Sequence, residues 1–352
     1  MNAPFHITGE VLRAADLRQP DEAARIEGFV AEQGGGVFHR PAWLLAVERG
    51  TDQRARGLVA ERRGRLTGFL PLTEVHSPIF GRLLASSGFA VEGGALAETE
   101  GTALALCRAA EEYALRLSCQ AVELRGGAAP AEWDSRADSH CGFVAPLAAD
   151  DEAQLLAVPR KQRAEVRKGL AAELEITTGS DEGERAAHYA VYAESVRNLG
   201  TPVFPRALFD AVLDGLDADI LTVRHRGVPV ASVLSLYHAG AVLPYWGGGT
   251  HGARALRAND RMYYELMRHA RARGCDSFDF GRSKTGGGAW HFKKNWGFAP
   301  QPLRYASWTA PGAAARDADP TSPRHAARIA LWKKLPLALA NRIGPAIARG
   351  LG

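Results

Sequence analysis

The strongest constraint on how this 352-residue chain can fold is an order of strand, turn and helix signals that it carries twice. In the first copy, residues 57–61 and 66–75 read as strands joined by the Gly-containing turn Arg62-Arg63-Gly64-Arg65. A third strand over 82–91 runs into Gly93-Gly94. Residues 99–117 carry apolar positions at helical spacing (Leu104, Cys107, Ala114, Leu115), and 121–125 close the unit as a strand. The second copy keeps the order: 220–225, a turn at Arg226-Gly227, 228–237, 241–246, a turn at Gly247-Gly248-Gly249, a helix holding Met262, Leu266 and Met267, and a closing strand at 277–280. The turn glycines Gly64 and Gly227 lie 163 residues apart. A duplicated domain is expected.

A hairpin, a third strand, a crossover helix and a parallel closing strand make an α+β unit with a mixed sheet. That order is similar to the GNAT-type acyl-N-acyltransferase fold. The expected architecture is therefore two tandem GNAT-like domains with mixed β-sheets, residues 1–150 and 151–310, with the active site in the second. Residues 311–352 form a linker and a basic amphipathic tail, the linker being the Ala-, Asp- and Pro-rich stretch 310–323.

Composition narrows the function. With 46% hydrophobic and 23% charged residues the chain can bury two ordinary cores, and its 38 glycines and 19 prolines exclude collagen-like and low-complexity classes. The net charge of +4 is uneven. Residues 321–352 hold six basic side chains (Arg324, Arg328, Lys333, Lys334, Arg342, Arg349) and no acidic one, which leaves residues 1–320 at −2. Whole-surface nucleic-acid binding is not expected of such a body. The spacing of Cys107, Cys119, Cys141 and Cys275 fits neither a zinc site nor a disulfide framework. No export signal or membrane span is read, so the expected location is cytoplasmic.

Chemistry concentrates in Phe278-Asp-Phe-Gly-Arg-Ser-Lys-Thr-Gly-Gly-Gly-Ala-Trp-His-Phe-Lys-Lys-Asn-Trp-Gly-Phe298. A strand end followed by three glycines can bend closely around a ligand, and Ser283, Lys284, Lys293 and Lys294 supply donors. Trp290, Phe292, Trp296 and Phe298 serve either as a pocket wall or as core, and the same two readings hold for Tyr245 and Trp246. On a helix Arg160, Arg163 and Arg167 share one face, which can grip phosphates or carboxylates; a solvated basic face has the same pattern. Arg197 and Arg206 flank a segment stiffened by Pro202 and Pro205, where a rigid inter-helix turn is equally well written.

Other chemistries lack their motifs. There is no His-Glu-x-x-His, no Gly-x-Ser-x-Gly and no phosphate loop ending in Gly-Lys-Ser/Thr, so no metal site is expected. The CoA-pyrophosphate loop of ordinary GNAT enzymes belongs near 249–259, where its glycines are missing.

Over residues 8–310 the chain resembles the FemAB-like aminoacyl/acyltransferases, in particular those associated with exosortase (XrtA)/PEP-CTERM systems. The resemblance is carried by Lys161-Gln-Arg163 with Arg167-Lys168, by Ser195-Val-Arg-Asn-Leu-Gly-Thr-Pro202, and by Asp279-Phe-Gly-Arg-Ser283 with Phe292-Lys293 and Trp296-Gly297-Phe298. Fem ligases transfer an amino acid from aminoacyl-tRNA to an amine of a peptidoglycan precursor. The resemblance thus implies that Lys293 is the cation stabilising charge on the reacting carbonyl, with Lys161, Arg163 and Arg206 holding anionic parts of a substrate. Arg167, Tyr245, Trp246, Arg282, Ser283, Lys284 and Phe292 complete the expected substrate-binding set.

The expected function is an N-acyltransferase or aminoacyltransferase acting on an amine of a cell-envelope or exopolysaccharide precursor, a small-molecule or lipid-linked saccharide or peptide. Its donor is aminoacyl-tRNA or acyl-CoA, with no tightly bound cofactor. The alternatives are a catalytically silent precursor-binding protein of the same pathway and an acyl-CoA-dependent N-acetyltransferase. The tail, with Ile329, Leu331, Trp332, Leu339 and Ile343 broken by Pro336 and Pro345, fits short surface helices that dock on the protein's own body or on anionic inner-membrane lipid.

Overall fold

The structure, a computed structural model, describes residues 9–314 and 326–352. Most of the 310–323 linker, Arg324 and the first eight residues lie outside the described residues. Two compact units are present: 9–137 with 304–314 and 349–352, and 138–303 with 326–348. The divisions fall near 137 and 303 rather than 150 and 310 because residues 305–309 pair within the first sheet and residues 140–146 within the sheets of the second unit.

The first unit contains β1 (Glu10–Ala14), α1 (Pro20–Glu32), α2 (Pro41–Thr51), β2 (Arg54–Arg62), β3 (Arg65–Ser77), β4 (Gly81–Ser86), β5 (Leu96–Ala97), α3 (Glu100–Arg116), β6 (Ala121–Arg125) and β7 (Asp134–Arg136). The β2–β3 hairpin turns at Arg63-Gly64, both in the left-handed region, and β4 and β6 run parallel from Leu83↔Ala121, the crossover being α3. Leu106, Cys107, Ala110 and Ala114 of α3 pack on Leu58, Leu70, Leu72, Leu84 and Val122. The Thr99 hydroxyl caps that helix by accepting from the Thr102 N–H at 3.1 Å, an interaction of about 1 kcal/mol.

The second unit contains β8 (His140–Gly142), β9 (Val144–Pro146), α4 (Asp151–Ala157), α5 (Arg160–Ala171), β10 (Glu175–Gly179), α6 (Glu182–Leu199), α7 (Arg206–Gly215), β11 (Ala218–His225), β12 (Val228–His238), β13 (Ala241–Gly249), α8 (Ala258–Ala272), β14 (Ser277–Asp279), β15 (Ser283–Lys284), α9 (Gly288–Asn295) and β16 (Gln301–Pro302). Strand β17 (Tyr305–Thr309) belongs to the first sheet, between β6 and β7. The second unit's main sheet has the order β10-β11-β12-β13-β14-β9, with only β13 and β14 parallel. Alternation assigns its two faces. Leu221, Val223, Ala231, Val233 and Val242 cluster with Met262, Leu266 and Met267 of α8, whereas Ser232 faces α6, its hydroxyl 2.9 Å from His188 Nδ1.

One expectation is corrected here. Gly247-Gly248-Gly249 is strand and not turn, paired with Val233, Ser232 and Ala231. A Cβ at Gly248 would overlap the Ser195 hydroxyl and lie 2.6 Å from Ser195 Cβ, so the glycine lets α6 lie directly on β13. Gly248→Ala is expected to cost about 1–3 kcal/mol in urea unfolding, with recovery in the Gly248→Ala/Ser195→Gly double variant. A loss that Ser195→Gly leaves untouched would contradict this packing.

The tail adds α10 (Ala326–Trp332) and α11 (Leu337–Ala348), with Pro336 between them and Pro345 inside the second. Both belong to the second unit; α11 buries Ala340, Gly344 and Ala348. No described helix is long and apolar enough to cross a membrane.

Candidate active site

Strands β13 and β14 pair only at Ala241↔Ser277 and Val242↔Phe278, after which β13 continues to Gly249 along β12 without β14 beside it. The chain leaving β14 bonds elsewhere, Phe280 N–H donating to the Phe143 carbonyl at 2.8 Å. Partners that part at the C-terminal ends of parallel strands leave a place for a ligand. Helix α9 covers this end. Its Lys293 is only 9% exposed, and its Nζ donates to the carbonyls of Gly281 (3.2 Å) and Arg282 (3.0 Å) while lying 5.4 Å and 5.8 Å from the ring centroids of Phe143 and Phe280. An ammonium has three N–H groups, and no acceptor among the described residues takes the third. Burial lowers its pKa from 10.5 to about 8, against the opposing pull of Asp279.

Asp279 belongs to the Asp279–Ser283 motif but has no role among the residues expected from sequence. It ends β14, its carboxylate accepts the Gly281 N–H at 2.8 Å, and burial raises its pKa. Asp279 therefore holds the N–H and Lys293 the C=O of one residue, Gly281, whose φ of +63° favours glycine. A carboxylate between the buried rings of Phe278 and Phe280 was the available signal. Tyr263 of α8 completes an aromatic wall, its ring 4.9 Å from Phe280, 5.6 Å from Phe292 and 6.3 Å from Trp296. Ser283 is buried with an unpartnered hydroxyl; Arg282 and Lys284 are exposed beside it.

Residues 159–294 match the acetyltransferase (GNAT) domain family. No curated protein matches the chain. Among solved structures, FemX is similar at 14% identity and a TM-score of 0.62, over 81% of this chain and 95% of its own. A tandem GNAT protein from the clavulanic acid biosynthesis pathway is similar at 12% identity and 0.55, over 87% and 99%. The fold is a tandem GNAT fold. The C-terminal domain of a putative lysylphosphatidylglycerol synthetase from Agrobacterium fabrum shares it at 14% identity and 0.55, over 82% and 92%.

In this GNAT fold the remaining expected residues fall in three places. Helix α5 turns Gln162, Val166 and Gly169 inward, with Gln162 Nε2 donating to Asp260 Oδ1 of α8 at 2.5 Å. Lys161 and Arg167 are exposed, and Arg163 is half-buried with an unpartnered Nε. The N-cap of α5 reaches the turn that ends α9, since a Cβ at Gly297 would lie 3.1 Å from Pro159 Cδ. Arg206 starts α7 and is taken up by carboxylates, pairing with Glu182 at 2.5 Å and Asp210 at 3.6 Å. Tyr245 and Trp246 stand on β13, Trp246 lying 4.8 Å from both Phe209 and Tyr245 and 6.3 Å from Phe204. Where a donor pyrophosphate would meet backbone N–H groups after β13, the Glu194 carboxylate already takes the His251 N–H at 2.8 Å, and Asp260 sits in the first turn of α8. No group of three or more metal-ligating side chains occurs among the described residues.

Proposed function

We propose that the chain is an N-acyltransferase or aminoacyltransferase, transferring an activated acyl group from an ester donor to an amine at the C-terminal end of β14. The observation that carries this reading is the buried Lys293 ammonium with one uncommitted N–H. Attack of an amine on an acyl ester passes through a tetrahedral oxyanion, and a fixed cation in a site of low polarity stabilises it without reorganising. The C–N bond forms as the amine proton passes to the Asp279 carboxylate. The intermediate then collapses, the C–O bond breaks, and the alcohol leaves with a proton.

Aminoacyl-tRNA is the donor this arrangement favours over acyl-CoA, because two carboxylates, Glu194 and Asp260, occupy the region where a pyrophosphate would need positive or N–H character. Lys161, Arg163 and Arg167 of α5 are then the side chains that hold the donor's phosphates, and Arg282, Ser283, Lys284 and Phe292 border the acyl group. Glu182 and Asp210 neutralise Arg206, so it is left out of that set. The FemAB-like motifs support an acceptor amine on a cell-envelope or exopolysaccharide precursor, and a cytoplasmic reaction. The test is to incubate purified protein with labelled aminoacyl-tRNA or acetyl-CoA and an amino-sugar or lipid-linked precursor mixture. Label transferred from aminoacyl-tRNA supports the reading. Thermal stabilisation by the precursor without turnover would instead make the chain a binding protein.

A further inference from the structure

Helices α10 and α11 dock with one side and leave another bare. The docked side is close-fitting: a Cβ at Gly344 would lie 3.2 Å from Val203 N, Gly200 abuts Ile329, and Arg197 Nη1 donates to the Lys333 carbonyl at 3.2 Å. On the outward side Leu339 and Ile343 of α11 remain 44% and 38% exposed, and Leu331 of α10 65%. Leu339, Arg342 and Ile343 stand at i, i+3 and i+4, one helical face. Lys333, Lys334 and Arg342 are exposed, and no carboxylate pairs with them among the described residues. Residues 321–352 contain no Asp or Glu at all.

Large apolar side chains held in water beside unpaired cations match a bilayer surface, where the apolar groups enter the headgroup boundary and the cations meet anionic lipid. A nucleic acid would use the cations and leave the leucines wet. The exposed side of α5 shows that other pattern, with Arg160, Lys161, Ala164, Arg167 and Lys168 and no large apolar residue. We infer that the outward face of α10 and α11 is a membrane-surface element that docks the chain on anionic lipid. This holds whether or not the transferase reading does.

The experiment is co-sedimentation of the full chain with vesicles of phosphatidylcholine, alone or mixed with phosphatidylglycerol. The wild type is expected to bind the mixed vesicles, release them at high salt, and ignore phosphatidylcholine. Leu339→Glu/Ile343→Glu should bind at least tenfold more weakly. Lys333→Gln/Lys334→Gln/Arg342→Gln should lose roughly fivefold per cation. All five positions are exposed, so both variants should unfold at the wild-type urea concentration, which separates lost docking from lost structure. Absence of wild-type binding to anionic vesicles overturns the inference. So does binding that survives in the Leu339→Glu/Ile343→Glu variant, because cations alone would then be acting.

Discussion

Lys293→Ala is expected to lower acyl transfer by about a hundredfold or more, the scale of removing one preorganised oxyanion donor. The pH profile tells a catalytic ammonium from a merely structural one. With its pKa lowered to about 8 by burial, Lys293 is charged at neutral pH and loses its proton just above it. If the cation stabilises the oxyanion, the wild-type rate is flat below pH 8 and falls about tenfold per pH unit above it. A neutral amine acting as nucleophile or base gives the mirror profile, rising to a plateau above pH 8. Stability moves independently. Between pH 8 and 10.5 the unfolded chain keeps the proton that the folded chain has shed, so wild-type stability should rise through that window relative to Lys293→Met, by up to about 3 kcal/mol. A wild-type rate that climbs through pH 8 removes Lys293 as the oxyanion-stabilising cation, and a Lys293→Ala enzyme of normal rate removes it from the chemistry altogether.

The fold was legible where side-chain period and turn chemistry agreed. The closing strand 121–125 coincides with β6, and the helix read over 99–117 is α3 with its Thr99 cap included. Reading failed where backbone geometry took over. Alternation predicts a third strand to 91, yet β4 ends at Ser86 because Ser87 and Phe89 adopt left-handed φ angles of +48° and +62° that alternation does not announce. The Gly247–Gly249 run looked like a turn since it has no side chains to alternate, and in the fold that lack is what admits α6. The Gly286–Gly288 run similarly hides the start of α9, which places Phe292 and Lys293 on a helix with Trp296 as its C-cap. The β8 and β9 pairings went unread because three-residue strands carry almost no period. At the site, Lys293 was visible through its motif. The joint hold of Asp279 and Lys293 on Gly281 was not, because it exists only once α9 lies across the end of β14.

Aminoacyl-tRNA-dependent transfer should depend steeply on salt, and acetyl-CoA should neither bind detectably nor support turnover. Arg160, Lys161, Arg163 and Arg167 of α5 take no carboxylate partner among the described residues, which leaves about four cations for phosphates. Each phosphate neutralised releases counterions and contributes about 0.7 to 0.9 to the slope of log affinity against log salt. Four contacts give a slope near −3, or roughly a fiftyfold weaker donor complex between 50 and 200 mM salt. Lys161→Gln and Arg167→Gln should each flatten the slope by about one contact and raise the KM for the donor with kcat unchanged, since a phosphate contact holds ground state and transition state alike. Their exposure keeps folding out of the comparison. The opposite pattern, salt-insensitive transfer from acetyl-CoA with both variants normal, would mean that the donor enters past Glu194 and Asp260 after all. Replacing those two carboxylates with Gln and Asn should then tighten acetyl-CoA, because an anion there would no longer face two like charges.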